Sequence, residues 1–379
     1  MEASLFDRVL DLALAIQQIP APTFQEEKRA VFVRDQFVAE SLVDVSIDPV
    51  GNVYARLPGY SSPTETKRPR PLVVTAHLDT VFPATTTLKA TREAGRIAAP
   101  GIGDNALGVA GLFGLVWALR QEGLSPLPGD VWLAADVGEE GLGDLRGMKA
   151  VVDRFNHQPT AYIVIEGMSL GRVYYRGLGV QRYRVTIRTP GGHSWVDHGS
   201  PSAIHELAAL ITRLNALALP EQPRTTLNVG IIQGGTSVNT IAAEAHLELD
   251  LRSEEVGALA DLIDQVERLI AESNTTFIEV TADLIGQRPA GEISPDAPLV
   301  RLAMSCLEAQ GLQPILNIGS TDANIPLSRG YPAICIGLTT GGGAHTTGEY
   351  ILTQPLGQGL AQLVGVVTGA FRLAGSPQI

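Results

Sequence analysis

The sequence predicts an α/β protein in which a mainly parallel sheet, covered by helices on both faces, is interrupted by an inserted ferredoxin-like α+β domain. Three observations lead there. Near-continuous apolar strands alternate with helical stretches through the first half; from about Gly179 the strands alternate polar and apolar residues; after about residue 288 the first pattern returns. A strand buried on both faces has no wet side to show, whereas a strand with one solvated face must alternate.

Taken in order, the opening segment MEASLFDRVLDLALAIQQIP carries acidic residues at 2, 7 and 11 and no cleavage pattern, so it reads as an amphipathic helix and not as a signal peptide. SSPTETKRPRP, 61–71, reads as an exposed loop. PLVVTA (71–76) is a buried strand, NALGVAGLFGLVWALRQEG (105–123) a helix, and DVWLAADV (130–137) and TAYIVIE (160–166) further buried strands. The pattern then changes to a strand at 180–189, a helix at 201–217, strands at 225–233 and 240–252, a helix at 255–272 and a strand at 276–283. That order is the split β-α-β-β-α-β unit. After the turn-rich stretch 286–298, a helix at 299–310, the strand YPAICIGL at 331–338 and a helix at 355–373 complete the chain. The expected division is therefore 1–176 with 288–379 as the main domain and 177–287 as the insert.

Composition narrows the function. A chain of 379 residues with 45% hydrophobic residues can bury real cores. With 28 basic against 40 acidic side chains the net charge is -12, which argues against nucleic acid or an anionic membrane as partner. Cys306 and Cys335 are far apart in apolar surroundings, so neither a disulfide framework nor a thiolate metal site is expected. Any metal falls to His, Asp and Glu. No apolar run reads as long enough to span a membrane, and a cytoplasmic enzyme or binding protein is expected.

In open α/β sheets ligands bind beyond the carboxyl ends of the strands. There the sequence places His77 and Asp79, Glu139 and Glu140, Glu166, and, past a glycine-rich turn, His345; Asp104 stands in the turn APGIGDNALG just before a helix. A lone His-x-Asp or Glu-Glu pair is more often a local hydrogen bond or a solvated turn, but the joint placement of all these groups is not. Two histidines and five carboxylates without cysteine suit a hydrolytic site around two divalent metals, whose charge offsets the repulsion among clustered carboxylates. His77 can ligate through one ring nitrogen while Asp79 accepts from the other. His193, in TPGGHSW, ends the first strand of the insert, where a capping or loop role is the plain alternative; His157, His198, His205 and His246 read as surface or structural residues.

The motifs AHLDTVFP, GIGDNALGVAGL, VGEEGLGDLRG, VIEG, TPGGHSW, GSTDANIP and GGGAHTTGEYI, in this order along nearly the whole chain, resemble the co-catalytic zinc metallopeptidases. That family includes glutamate carboxypeptidase, acetylornithine deacetylase, succinyl-diaminopimelate desuccinylase, aminoacylase and peptidase T. The resemblance implies two zinc ions, with cobalt or manganese as alternatives, bridged by Asp104 and a water. His77 and Glu166 would complete one site, Glu140 and His345 the other, with Glu139 as general base and Asp79 as the partner of His77. It further implies a cis peptide between Asp104 and Asn105. His193 would polarise the substrate carbonyl from the partner subunit of a homodimer formed through the insert, and Asn239 and Arg252 match positions that hold substrate carbonyl and carboxylate groups. Asn105 after the bridging aspartate is closer to peptidase T, whereas Glu166 is closer to the carboxypeptidases and deacylases. The expected function is hydrolysis of short peptides, of exo- or dipeptidase type, with N-acyl amino acid deacylation as the alternative. A non-catalytic metal-binding protein is the reading from another class, and it would predict loss of a ligand or of Glu139; neither is lost.

Overall fold

Along the strand Leu72–His77, Leu72, Val74 and Ala76 enter one core and Val73 enters another, which is why the sequence shows an apolar run there without alternation. The computed structural model describes residues 4–60 and 69–374, and most of the loop expected at 61–71 lies outside them. The chain divides into two units, Met1–Gly177 with Glu292–Ile379, and Leu178–Gly291.

In the first unit the sheet runs in the order Val43–Ile47, Val53–Leu57, Val131–Asp136, Leu72–His77, Ala161–Glu166, Ala333–Gly337, Arg172–Gly177, with Ile315–Gly319 also paired to Arg172–Gly177. The central pairs around Leu72–His77 are parallel, as is Ala161–Glu166 with Ala333–Gly337, while Val43–Ile47 and Val53–Leu57 add on antiparallel. Those two strands, Arg172–Gly177 and Ile315–Gly319 are strands of this sheet that sequence reading did not assign, as it also left the helices Glu27–Ala39, Arg146–Phe155 and Asn324–Ser328 unassigned. Val43–Ile47 and Ile315–Gly319 are exposed or half-buried throughout, so they lack the apolar run that marks the central strands.

One face of this sheet is covered by the helices Leu5–Gln17, Leu107–Gln121, Pro298–Ala309 and Leu356–Ala374, and the other by Arg146–Phe155 and Asn324–Ser328. Leu5–Gln17 starts at Ser4, whose Oγ accepts from the Asp7 amide at 3.2 Å, and buries Val9, Ala13 and Ile16. The helical run Ile102–Gln121, 20 residues, is in fact long and apolar enough to cross a membrane, contrary to the sequence reading. It lies almost wholly buried, because a helix packed against a sheet and under other helices is apolar all round.

The second unit pairs Thr225–Gly234, Glu244–Ser253, Gly179–Arg188 and Glu279–Arg288 in that order, all antiparallel. The helices Ala203–Asn215 and Val256–Glu272 share its core, with Leu207, Leu210, Leu262 and Val266 packed on Val185, Ile187, Leu247 and Leu249. Opposite that core, Arg182, Arg184 and Arg188 pair across the strands with Asp250, Glu248 and Glu244, which explains the alternation in VQRYRVTIR. Two boundaries differ from expectation. The strand at 240–252 is broken after Thr240–Ile241, which leaves the sheet to pair with Gly192–His193. The last strand runs Glu279–Arg288 instead of 276–283, because Thr275 and Ile278 bridge each other in a tight turn before it; the unit accordingly extends to Gly291.

Candidate metal centre

Because Val131–Asp136, Leu72–His77 and Ala161–Glu166 are parallel neighbours, their carboxyl ends lie side by side, with His77 in register with Asp136 and Glu166 with Gly337. His77 is buried, with Nε2 3.1 Å from Asp104 Oδ1 and 3.7 Å from Glu166 Oε2. The other oxygen of Asp104, Oδ2, lies 3.1 Å from His345 Nε2, which is itself 3.2 Å from Glu140 Oε1. Asp104 therefore stands between two groups, each carboxylate oxygen turned to a different imidazole. Three sets of ligand atoms each fall within 4.8 Å of one another: His77, Asp104 and Glu166; Asp104, Glu140 and His345; and His77, Glu139 and Glu140.

Divalent cations fit these donors. His77 Nε2 and Glu140 Oε1 are buried without a well-formed hydrogen bond among the described residues, a costly arrangement unless something else satisfies them. The same carboxylates favour the charged form of both imidazoles. His345 is pushed up to about 10 by the Asp104 and Glu140 carboxylates. Burial works against a charged His77, yet Asp104, Asp79 and Glu166 raise it well above its ordinary value. Burial likewise opposes a charged Asp104, but His345 and His77 hold it well below the usual carboxylate range; Glu166 is raised, chiefly by burial. Nitrogen and oxygen donors without sulfur suit zinc, cobalt or manganese.

Other residues set these groups in place. Asp79 is wholly buried and its carboxylate accepts from the amides of Glu139 and Glu140, both at 3.0 Å, and from Thr23 Oγ1 at 2.8 Å. Its relation to His77 is closer through the main chain: His77 Nδ1 is 3.1 Å from the Asp79 carbonyl oxygen and 3.6 Å from Oδ1. Burial would raise Asp79, but His77 together with the Glu140 and Glu139 amides outweighs it and holds the carboxyl at about 2. Arg29, also buried, donates from Nη1 to the Leu78 carbonyl at 2.6 Å. The Asp104–Asn105 peptide is cis. The Asn105 side chain donates to the Ile165 carbonyl and accepts from the Gly167 amide, both at 2.8 Å, and so holds the backbone on either side of Glu166.

The roles of Thr23, Arg29 and the Asn105 side chain escaped sequence reading. Asn105 stood in a motif already singled out, but its partners are 60 and 62 residues away. Asp136 and Asp322 were missed as well: burial pushes Asp136 up to about 7, and burial together with the neighbouring Asp136 and Glu139 raises Asp322 well above its ordinary value.

His193, Asn239 and Arg252 belong to the second unit. His193 is exposed, and its Nδ1 accepts from the amides of Trp195 at 3.2 Å and Val196 at 3.4 Å. In the neutral ring the proton then sits on Nε2. The Asn239 carbonyl accepts from the Ser194 amide at 3.1 Å, which ties the Asn239 turn to that of His193. Arg252, 40% exposed, donates from Nε to Asp250 at 2.6 Å.

Residues 73–368 match the model of a family described as peptidase family M20/M25/M40. Among relatives, an uncharacterized protein of Bacillus subtilis, YqjE, is 23% identical over 96% of this chain and 99% of its own length. An acetylornithine deacetylase of Myxococcus xanthus is 28% identical over 72% of each chain. Among solved structures, a tripeptidase from Staphylococcus aureus superposes with a TM-score of 0.78 at 23% identity, covering 97% of this chain and 99% of that one.

Proposed function

The chain belongs to peptidase family M20/M25/M40, and from that premise we propose that it is a two-zinc hydrolase cleaving amide bonds of short peptides, of exo- or dipeptidase type. The observation that carries this is the Asp104 carboxylate, set with one oxygen 3.1 Å from His77 and the other 3.1 Å from His345, with Glu166 and Glu140 closing the two sides. His77, Asp104 and Glu166 would hold one ion, and Asp104, Glu140 and His345 the other. Bound ions supply acidification of a shared water and polarisation of the scissile carbonyl.

The protein's own residues do the rest. Glu139, buried at the same strand end, takes a proton from the attacking water and hands it to the leaving amine nitrogen. Asp79, by bonding the amides of Glu139 and Glu140, keeps the two adjacent carboxylates in distinct places, one as base and one as ligand. His193 presents Nε2–H as a donor to the carbonyl oxygen as it gains negative charge. Asn239 would hold the substrate carbonyl, and Arg252 would exchange Asp250 for a substrate carboxylate. In this reading the working form is a homodimer built through the second unit, with His193 serving the partner's centre.

Deacylation of N-acyl amino acids is the second reading, favoured by Glu166 and by the Myxococcus xanthus relative. Turnover of dipeptides, tripeptides, N-acetyl and N-succinyl amino acids, with zinc, cobalt or manganese and after chelation, tests both. Metal-dependent cleavage of peptides supports the first and preference for N-acyl amino acids the second. Absence of any amide hydrolysis, or hydrolysis indifferent to chelation, would refute both.

A further inference from the structure

Glu349 is fully buried, at 0% exposure, yet its carboxylate bonds to main chain and not to a cationic side chain among the described residues. It accepts three N–H groups from a single turn: Gly103 at 2.7 Å and Asp104 at 2.8 Å on Oε1, and Gly101 at 3.0 Å on Oε2. This is the turn that presents Asp104. Gly101 has φ +74, and a Cβ there would come within 2.9 Å of the Thr80 side chain, so the turn has little freedom to be built otherwise. With its acceptor sites engaged by amides, Glu349 is not placed as a ligand.

The other end of the same short segment carries His345. Residues 343–349 form a self-bonded turn: the Thr346 amide donates to the Gly343 carbonyl at 3.0 Å, Thr346 Oγ1 donates to that carbonyl at 2.7 Å, and the Glu349 amide donates to the Thr346 carbonyl at 3.1 Å. The Glu349 carbonyl in turn accepts from the Ala99 amide at 3.0 Å, so the segment is fastened to the Asp104 turn through main chain as well as side chain. The segment that carries His345 is thus tied by hydrogen bonds to the turn that carries Asp104.

We propose that Glu349 is a positioning residue of the metal centre, whose carboxylate clamps the turn 101–104 so that Asp104 faces His77 and His345 at once. A carboxylate is required because it offers only acceptors. In the Glu349→Gln variant one oxygen would keep the Gly103 and Asp104 amides, while the NH2 would face the Gly101 amide, donor against donor. An aspartate would keep both acceptors but fall short by one methylene. The proposal rests on the metal reading above, and the test separates the two.

Zinc affinity is measured by chelator competition on purified wild type, E349Q and E349D, with folding followed by circular dichroism and thermal melting. Wild type binding zinc at His77, Asp104, Glu140, Glu166 and His345 is the premise; no zinc binding by wild type would sink the metal reading itself. Both variants should fold and bind zinc on the order of 10- to 100-fold more weakly, the usual cost of losing a group that orients a ligand. E349D, keeping charge and acceptors, should lie between wild type and E349Q. Unchanged zinc affinity in a folded variant would overturn the proposal. So would failure of both variants to fold even in excess zinc, since Glu349 would then serve the fold alone.

Discussion

Replacing Gly108 by alanine sets two effects of opposite sign against each other. Gly108 lies in the first turn of the helix Leu107–Gln121, where alanine is favoured over glycine by about 1 kcal/mol. A Cβ at Gly108, however, would stand 1.9 Å from Asn105 Oδ1, 2.6 Å from Cγ and 2.8 Å from Nδ2. Asn105 is wholly buried and has nowhere to turn without giving up its bonds to the Ile165 carbonyl and the Gly167 amide. Two buried main-chain groups left unpaired cost about 1–3 kcal/mol each. The loss outweighs the helical gain, and Gly108→Ala should destabilise the protein by about 1–5 kcal/mol. Because the bonds flank Glu166, zinc affinity should fall too. Urea denaturation gives the first quantity and chelator competition the second. A variant more stable than wild type by about 1 kcal/mol, with unchanged zinc affinity, would show that propensity governs the site and that Asn105 holds nothing in place.

Glu139→Gln should keep its metal content and lose roughly 10²- to 10⁴-fold in kcat, whereas Glu140→Gln should bind metal more weakly; metal analysis with the opposite assignment would reverse the two roles. In the metal-free protein Asp79, held at about 2 against an ordinary 3.8, contributes stability that is present above pH 3.8 and lost as pH falls through about 2. Urea titrations between pH 5 and pH 2 should therefore fall more steeply for wild type than for Asp79→Asn, by on the order of 2 kcal/mol, and superimposable curves would count against that environment. Mixing His193→Ala with Glu139→Gln, each nearly inactive, should restore about a quarter of wild-type activity, since random pairing makes half the dimers mixed with one intact centre each. No recovery after demonstrated subunit exchange would place His193 within its own chain's reaction or outside the reaction.

The parallel core was legible because strands buried on both faces cannot hide their apolar runs, and strand ends bearing His77, Glu139, Glu140 and Glu166 break those runs conspicuously. The four-stranded sheet of the second unit was legible for the opposite reason: Arg182, Arg184 and Arg188 alternate with residues that must be dry. Val43–Ile47 and Ile315–Gly319, half in water, carry neither signature. What supports the candidate centre was harder to see. Asn105 acts on residues beside Glu166, Thr23 on Asp79 and Glu349 on the Asp104 turn, each across a long stretch of chain. The chemistry of such residues is ordinary; only their folded neighbours make them useful. Where one helix stops and the next strand starts depended on local pairings, such as Thr275 with Ile278, that no periodicity encodes.

Anomalous diffraction from zinc-loaded crystals, recorded at the metal absorption edge, tests the two-metal centre most directly. The arrangement of donors predicts two peaks about 3.5–4 Å apart, one among His77, Asp104 and Glu166 and the other among Asp104, Glu140 and His345, with Asp104 touching both. A single peak, or two peaks that do not share Asp104, would contradict it.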